Sequence, residues 1–365
     1  MFKHNMSLTD TIEHEDYKYS IQKKEKTASL IEVEKEDESE ILIPLSVTYE
    51  SQEYPITSIS EYAFNCMYIK KIDFPDDSQI QKIENNAFAN STIEILTIPS
   101  SVIELECGWC NETEIDKIIV NPGNKRYSSI DEKLILGKQT IEDDEYTNLV
   151  FSVRNIEEIL IPDFIKIIEP YAFNFSSIKK IIIPSSVQVI CKCAFEKCSH
   201  IRIFKFQENS MLQKIGESAF AASSIMKFKI PPNVTVIGKF AFVRCICLRI
   251  VEFSENSKIE KIENGAFSES SLERFTIPSS LTFIDEYAFQ NCKKLHTIKI
   301  SEDSKLTTIK RGVFSCSSIE SMIFPRHLTK IAALGFFSCK KLQRVEIPKN
   351  SELEVIEELV FEYTS

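Results

Sequence analysis

The chain has 365 residues, 43% of them hydrophobic, and a net charge of −11. That charge argues against nucleic acid as the main partner, since phosphate binding wants a basic surface. Its eight glycines, at 108, 123, 137, 216, 238, 265, 312 and 335, are too far apart for a GxGxxG dinucleotide loop, a GxxxxGK phosphate loop or a GxSxG nucleophile elbow.

In chain order, "MFKHNMSLTDTIEHEDYKYS" lacks the apolar core of a signal peptide. No run of about 18 apolar residues follows, so no membrane span is expected. Taken literally, the sequence points to the cytoplasm. Residues 1–15 read as a disordered tail. Residues 16–60 read as a β-rich N-terminal cap, with short strands in "KYSIQ", "ASLIEV", "ILIPLSVTYE" and "EYPITSI". The acidic run Glu32–Glu40 reads as a solvated hairpin turn.

Residues 61–120 and 159–365 are repeats. An Ala-Phe pair recurs from Ala63-Phe64 to Ala288-Phe289 and continues as Val313-Phe314, Gly335-Phe336 and Val360-Phe361. From Phe173 the Phe spacings alternate between 22 and 25, a superperiod of 47. Each link carries Leu/Ile-x-x-apolar-x-apolar, as in "LHTIKI", whose last two apolar residues alternate with the period of a strand. One such turn cannot bury its own Leu, Ile and Phe, but stacked turns can, with their strands in a parallel ladder. Ala lets the backbone approach the core, and Phe fills the space behind it. "CGWC" falls where an Ala-Phe pair is due, so Trp109 is the expected substitute plug. Residues 121–158 interrupt the repeat. Their apolar stretches Lys133–Leu136 and Asn148–Val153 predict a β-hairpin insertion on the solenoid edge, with exposed tips.

The phrase "IPSSLTFIDEYAFQNCKKLHTIKI" resembles the BspA-like class of leucine-rich repeat. "VNPGNKRYSSIDEKLILGK" and "IPLSVTYESQEYPITSISEYAF" resemble that family's inter-repeat segment and lead-in. The resemblance covers about residues 20–365. It implies a curved repeat solenoid, a right-handed superhelix with a parallel β-ladder on its concave face and no catalytic residues. It also implies a surface antigen or adhesin that binds host or bacterial proteins, which is the alternative to a cytoplasmic location.

The candidate chemistry is weighed against architecture. Eleven cysteines, an odd number in a long chain, are expected to be mostly reduced and buried. Cys198, Cys245, Cys292 and Cys339 stand 47 apart, each three after its Phe. A solenoid separates them by about 9–10 Å, too far for a shared zinc or a disulfide. They read as half-buried thiols in the bend, with Cys66 and Cys316 in nearly the same place. Cys107 and Cys110 leave a labile disulfide or metal contact open, and the cluster Cys191, Cys193, Cys198 and His200 leaves a metal open. The five histidines read as surface side chains. The sequons at Asn90, Asn111, Asn174 and Asn233 matter only in a secreted chain.

Recognition is expected at the outward central residues of the ladder. The candidates are Ile119, Leu160, Ile182, Lys205, Lys227, Lys229, Glu252, Thr276, Lys299, Ile323 and Glu346; Thr97 is read as outward too. Ile119, Leu160 and Ile182 read as an apolar patch beside the insertion. Lys205, Lys227, Lys229, Arg249 and Arg274 read as a basic strip suited to an acidic protein. The expected protein is a cofactor-free monomer that binds other proteins. An intracellular scaffold and a metal or redox protein using the clustered Cys are the alternative readings.

Overall fold

Period-two apolar patterning dictates strands along this chain, and the Ala-Phe corners dictate where they stop. The computed structural model describes residues 9–35, 39–301 and 303–365, and every regular element among them is a β-strand. The sequence predicts one continuous solenoid domain; packing divides the chain into two units, Met1–Asn155 and Ile156–Ser365.

The first unit begins with Thr9–His14, antiparallel to Tyr17–Gln22, which is antiparallel to Thr27–Val33. The expected disordered tail is therefore a strand from Thr9 on; residues 1–8 lie outside the described residues. Asp10 explains part of the ordering: it accepts from Tyr49 Oη at 2.9 Å and pairs with Lys23 at 2.7 Å. The expected hairpin at Glu32–Glu40 is also corrected. Thr27–Val33 pairs with Gln52–Ile59, and Ser39–Leu42 pairs with Tyr68–Asp73. The acidic run therefore joins two different ladders, and residues 36–38 lie outside the described residues.

One parallel ladder runs through Ser39–Leu42, Tyr68–Asp73, Thr92–Ile98 and Glu114–Val120. The return arms Gln52–Ile59, Lys82–Ile83 and Glu104–Leu105 form a second. Leu134–Gly137 and Asn148–Ser152 form the expected hairpin, and Tyr127–Ile130 adds a third strand that the sequence reading missed. The insertion takes ladder bonds that a further turn would take: Ile118 N–H donates to the Glu132 carbonyl at 2.8 Å and Val120 N–H to Ser129 Oγ at 3.1 Å. Buried Asn124 holds its root, donating to the Pro99 and Val102 carbonyls, both at 2.9 Å. Gln139–Glu145, at the tip, is exposed.

The second unit repeats one bend. The residue before each Ala and the residue two after each Phe have positive φ, as at Tyr287 (59°) and Asn291 (56°). A left-handed backbone costs roughly 1–2 kcal/mol per non-glycine residue. Bonds to the next turn offset this: the N–H groups of Tyr287, Phe289 and Asn291 donate to the carbonyls of Arg311, Val313 and Ser315 at 3.0, 2.9 and 2.9 Å. Each contributes about 0.5–1.5 kcal/mol, so the two sums are comparable. At Gly265 and Gly312 glycine takes the position before the Ala, against the rings of Phe240 and Tyr287 from the preceding turn. A Cβ on Gly312 would stand 2.5 Å from the Tyr287 ring.

Behind the bends the Phe rings form one column from Phe173 to Phe361, with centroids 4.9–5.6 Å apart and planes within 26°. In the first unit Phe64 and Phe88 stack at 5.0 Å, and Trp109 meets Phe88 edge-on at 5.9 Å. Phe88 N–H donates to the Trp109 carbonyl as Phe64 N–H does to that of Ala87. Trp109 is thus the plug, with its backbone at the Ala position.

Candidate interaction face

The repeated cysteines belong to the scaffold. Cys198, Cys245, Cys292 and Cys339 are fully buried rather than half-buried. Each thiol donates to a carbonyl of the preceding long-range neighbour, Phe173, Phe220, Phe267 and Phe314, at 3.0–3.1 Å. The intervening turns put a serine in the same place: Ser223, Ser270 and Ser317 lie 3.6, 3.4 and 3.4 Å from Cys245, Cys292 and Cys339. A thiol and a hydroxyl therefore alternate along one buried spine. Burial pushes the Cys245 and Cys292 thiols up to about 12 and raises that of Cys339. The reactive thiolate is suppressed at these three. Cys66 and Cys316 sit elsewhere, at the left-handed position one residue earlier.

The other cysteine readings resolve similarly. Cys107 is exposed and Cys110 buried, and no disulfide joins them. Burial pushes the Cys110 thiol up to about 12. Cys193 is also pushed up to about 12, by burial and then by Glu196. Among the described residues no group of three or more His, Cys, Asp and Glu side chains could hold a metal ion. Cys191, Cys193, Cys198 and His200 thus do not converge as a ligand set. Of the sequon asparagines, Asn174 is fully buried, whereas Asn90 is exposed.

The outward ladder residues are mostly where alternation puts them. In the first unit Ile119 is half-buried, but Thr97 is buried, at 4% exposure, despite its outward register beside Ile119. In the second unit Leu160 is 86% exposed and Ile182 44%. Lys205, Lys227, Lys229, Thr276, Lys299 and Ile323 are exposed, and Glu252 and Glu346 are half-buried. Arg249 and Arg274 are exposed too, but Arg249 is ion-paired with Glu273 at 3.8 Å.

The pairing between these strands is uneven. Lys180–Ile183 pairs with Ile203–Phe206 over four residues, as do Lys227–Ile230 with Ile250–Phe253 and Arg274–Ile277 with Thr297–Ile300. The seams on the other side of each long turn are loose. Ile250–Phe253 meets Arg274–Ile277 only at Ile250 and Arg274, and Thr297–Ile300 meets Ser321–Ile323 only at Thr297 and Ser321. Ile203–Phe206 and Lys227–Ile230 do not pair at all and belong to separate sheets. The long turns reach their strands one residue later: Phe195 to Phe206 is 11, Phe220 to Ile230 is 10. The ladder is therefore built from pairs of turns and loosens every 47 residues.

At the unpaired seam the inner side is closed by rings. Phe204 stacks on Phe228 at 5.3 Å, and Phe206 meets Phe228 edge-on at 5.7 Å. The outer side is a groove of about 730 Å³, within the usual size of a ligand cleft. Phe204, Phe206, Met226 and Pro231 give it an apolar floor, and Lys205 and Lys229 rise beside it. Lys227 is engaged with Glu252 at 2.8 Å. Sequence reading found the lysines but not the groove. Its available signal was the 22/25 alternation together with phenylalanine in both facing strands.

No helix among the described residues is long and apolar enough to cross a membrane. The chain matches the family model for the BspA type leucine-rich repeat region over residues 46–143, 147–249 and 241–365. It is similar to the crystal structure of a leucine-rich cell surface protein from Faecalibacterium prausnitzii, with 22% identity, a TM-score of 0.51 and coverage of 97% of this chain and 92% of that one. It is also similar to a leucine-rich repeat protein from Eubacterium ventriosum, with 18% identity, a TM-score of 0.55 and coverage of 96% and 97%. No curated protein matches it.

Proposed function

The chain belongs to the BspA-type leucine-rich-repeat family, and on that premise we propose that it is a non-catalytic, surface-displayed module that binds other proteins through its ladder face. The observation that carries this reading is the division of labour within each turn. Phe, Ala, Cys and Ser are consumed by the core, while Lys205, Lys229, Thr276, Lys299 and Ile323 stand exposed on the ladder strands of the second unit and vary from turn to turn. Such a face offers complementarity spread over many turns, which suits a macromolecule better than a small substrate. The exposed candidates carry no shared proton relay or nucleophile, and the most buried thiols are held protonated. The name of the Faecalibacterium protein, a cell surface protein, supports display outside the cell.

Antibody labelling of intact and permeabilised cells tests the location. Label on intact cells is expected; label confined to permeabilised cells would leave an intracellular scaffold. The labelled chain is then applied to bacterial and animal cells with and without protease stripping. Saturable binding that stripping removes, and that Thr276→Arg with Lys299→Glu and Ile323→Glu weakens, is the expected result.

A further inference from the structure

We propose that the groove over the seam between Ile203–Phe206 and Lys227–Ile230 binds a small amphipathic carboxylate, a single anionic head on a hydrocarbon chain. The site goes beyond the protein-binding reading and does not depend on it.

The floor comes first. Phe204 and Phe228 are in ring contact at 5.3 Å, so the two strands stay close and nothing threads between them. What differs at this seam is the exposure of the inner side. Phe204 and Phe206 occupy inward positions and yet are half-buried, whereas Phe228 and Ile230 across the seam are buried. Ring carbon is therefore reachable from the outer face. With Pro231 and with Met226, which is 48% exposed, it makes the apolar floor of a groove of about 730 Å³. Each strand is fully paired on its far side, with Lys180–Ile183 and Ile250–Phe253, so the site is formed in advance and little ordering cost falls on the protein.

The same ring contact fixes the place of the head group. Lys205 follows Phe204 and Lys229 follows Phe228, so the two lysines stand across from each other on the outer side, and both line the groove. Like charges directly opposite on neighbouring strands are destabilising. Neither lysine has an ion-pair partner among the described residues. Glu252, the register partner of Lys229, is taken by Lys227 at 2.8 Å. Elsewhere on these strands cations are matched, as Lys180 is by Glu158 and Arg344 by Glu346, both at 3.0 Å. One carboxylate between Lys205 and Lys229 meets two charged donors and offsets their repulsion. A cationic head would add to it.

The body of the ligand follows from what the floor lacks. With the two strands against each other, the floor offers ring and aliphatic carbon rather than a strand edge. A peptide laid on it would bury amide groups without partners, a cost that a hydrocarbon chain does not carry. An apolar lining with a few placed charges, at this volume, is also the usual make-up of a small-ligand cleft.

Isothermal titration calorimetry of the full chain with sodium dodecanoate, at pH 8 and below its micelle concentration, tests the site. Saturable binding of one dodecanoate per chain is expected, weakening with added salt. Dodecyltrimethylammonium, the same chain with a cationic head, and butyrate, the same head on a short chain, should each bind at least tenfold more weakly. Lys205→Gln with Lys229→Gln should weaken dodecanoate at least tenfold while holding or raising the thermal midpoint, because a repulsion is removed. Met226→Glu, which sets a carboxylate on the floor, should weaken it by a similar factor and serves as the test if the double variant does not fold. Lys299→Gln, elsewhere on the ladder strands, should change it less than twofold. Equal binding of the cationic surfactant, or indifference to the double variant or to Met226→Glu, would each overturn the proposal. So would uptake of many dodecanoates with loss of the melting transition. The same holds if an acetylated hexapeptide of alternating Glu and Val displaces dodecanoate at equal or lower concentration, or if sedimentation shows a second copy of the chain in the groove.

Discussion

The Phe corners and the ladder strands of the second unit are built by the same 47-residue superperiod, yet they respond to it differently. In the ring column, short and long turns are indistinguishable: rings stack at 4.9–5.6 Å from Phe173 to Phe361 without a gap. On the ladder the same turns pair fully on one side and barely or not at all on the other. The difference teaches where a solenoid can vary. The corner fixes backbone, ring and thiol together, so an extra residue cannot be absorbed there. The extra residues of the long turn are taken up on either side of the ladder strand, and the ladder loses register as a result. Rigidity on one edge is what permits an opening on the other.

The sharpest way to break this comparison is to remove a ring from the column. Phe289→Ala should cost about 3–5 kcal/mol, as buried Phe truncations do, whereas Lys299→Ala on the ladder should stay within about 0.5 kcal/mol. Urea denaturation of both variants checks it; a near-neutral Phe289→Ala would contradict the column's role. Next in size is the buried spine. Cys292→Val leaves the Phe267 carbonyl without its 3.1 Å donor and should cost about 1–3 kcal/mol. Cys292→Ser keeps a donor of the kind that Ser270 already supplies one turn away, so it should cost distinctly less.

The most gradual effect is alkaline. Folded thiols at Cys245 and Cys292 are raised from 9.0 to about 12. The unfolded chain therefore releases these protons first. Their contribution is fully present below pH 9 and is lost as pH rises toward 12, by up to about 1.4 kcal/mol per pH unit for each thiol. Melting curves across that range should show the loss, and Cys292→Ser should flatten it. An unchanged slope would mean that the thiol is not protected.

Much of this was legible in the sequence, for identifiable reasons. The plug column follows from Ala-Phe at fixed spacing, and even the slipped plug at Trp109 could be placed, because a solenoid turn with no ring would leave a void. Family and fold followed from the same recurrence. What escaped depended on backbone partners rather than on side-chain period. Thr9–His14 carries little apolar signal and is ordered by pairing with Tyr17–Gln22. Tyr127–Ile130 reads as turn chemistry until its partner Leu134–Gly137 is in place. Thr97 has the parity of an exposed residue and is nevertheless buried. The candidate face was half-legible: Lys205 and Lys229 were named from alternation, but alternation carries no information about whether neighbouring strands are joined.

The alternating spine has one more use. Because Cys198, Cys245, Cys292 and Cys339 are each sealed inside a different pair of turns, a thiol becomes reachable only when its own pair opens. A brief pulse of alkylating reagent, followed by peptide mapping, would read the chain like a row of four tell-tales. It would show which pair frays first, and whether loosening starts at a ladder seam or at the end of the column.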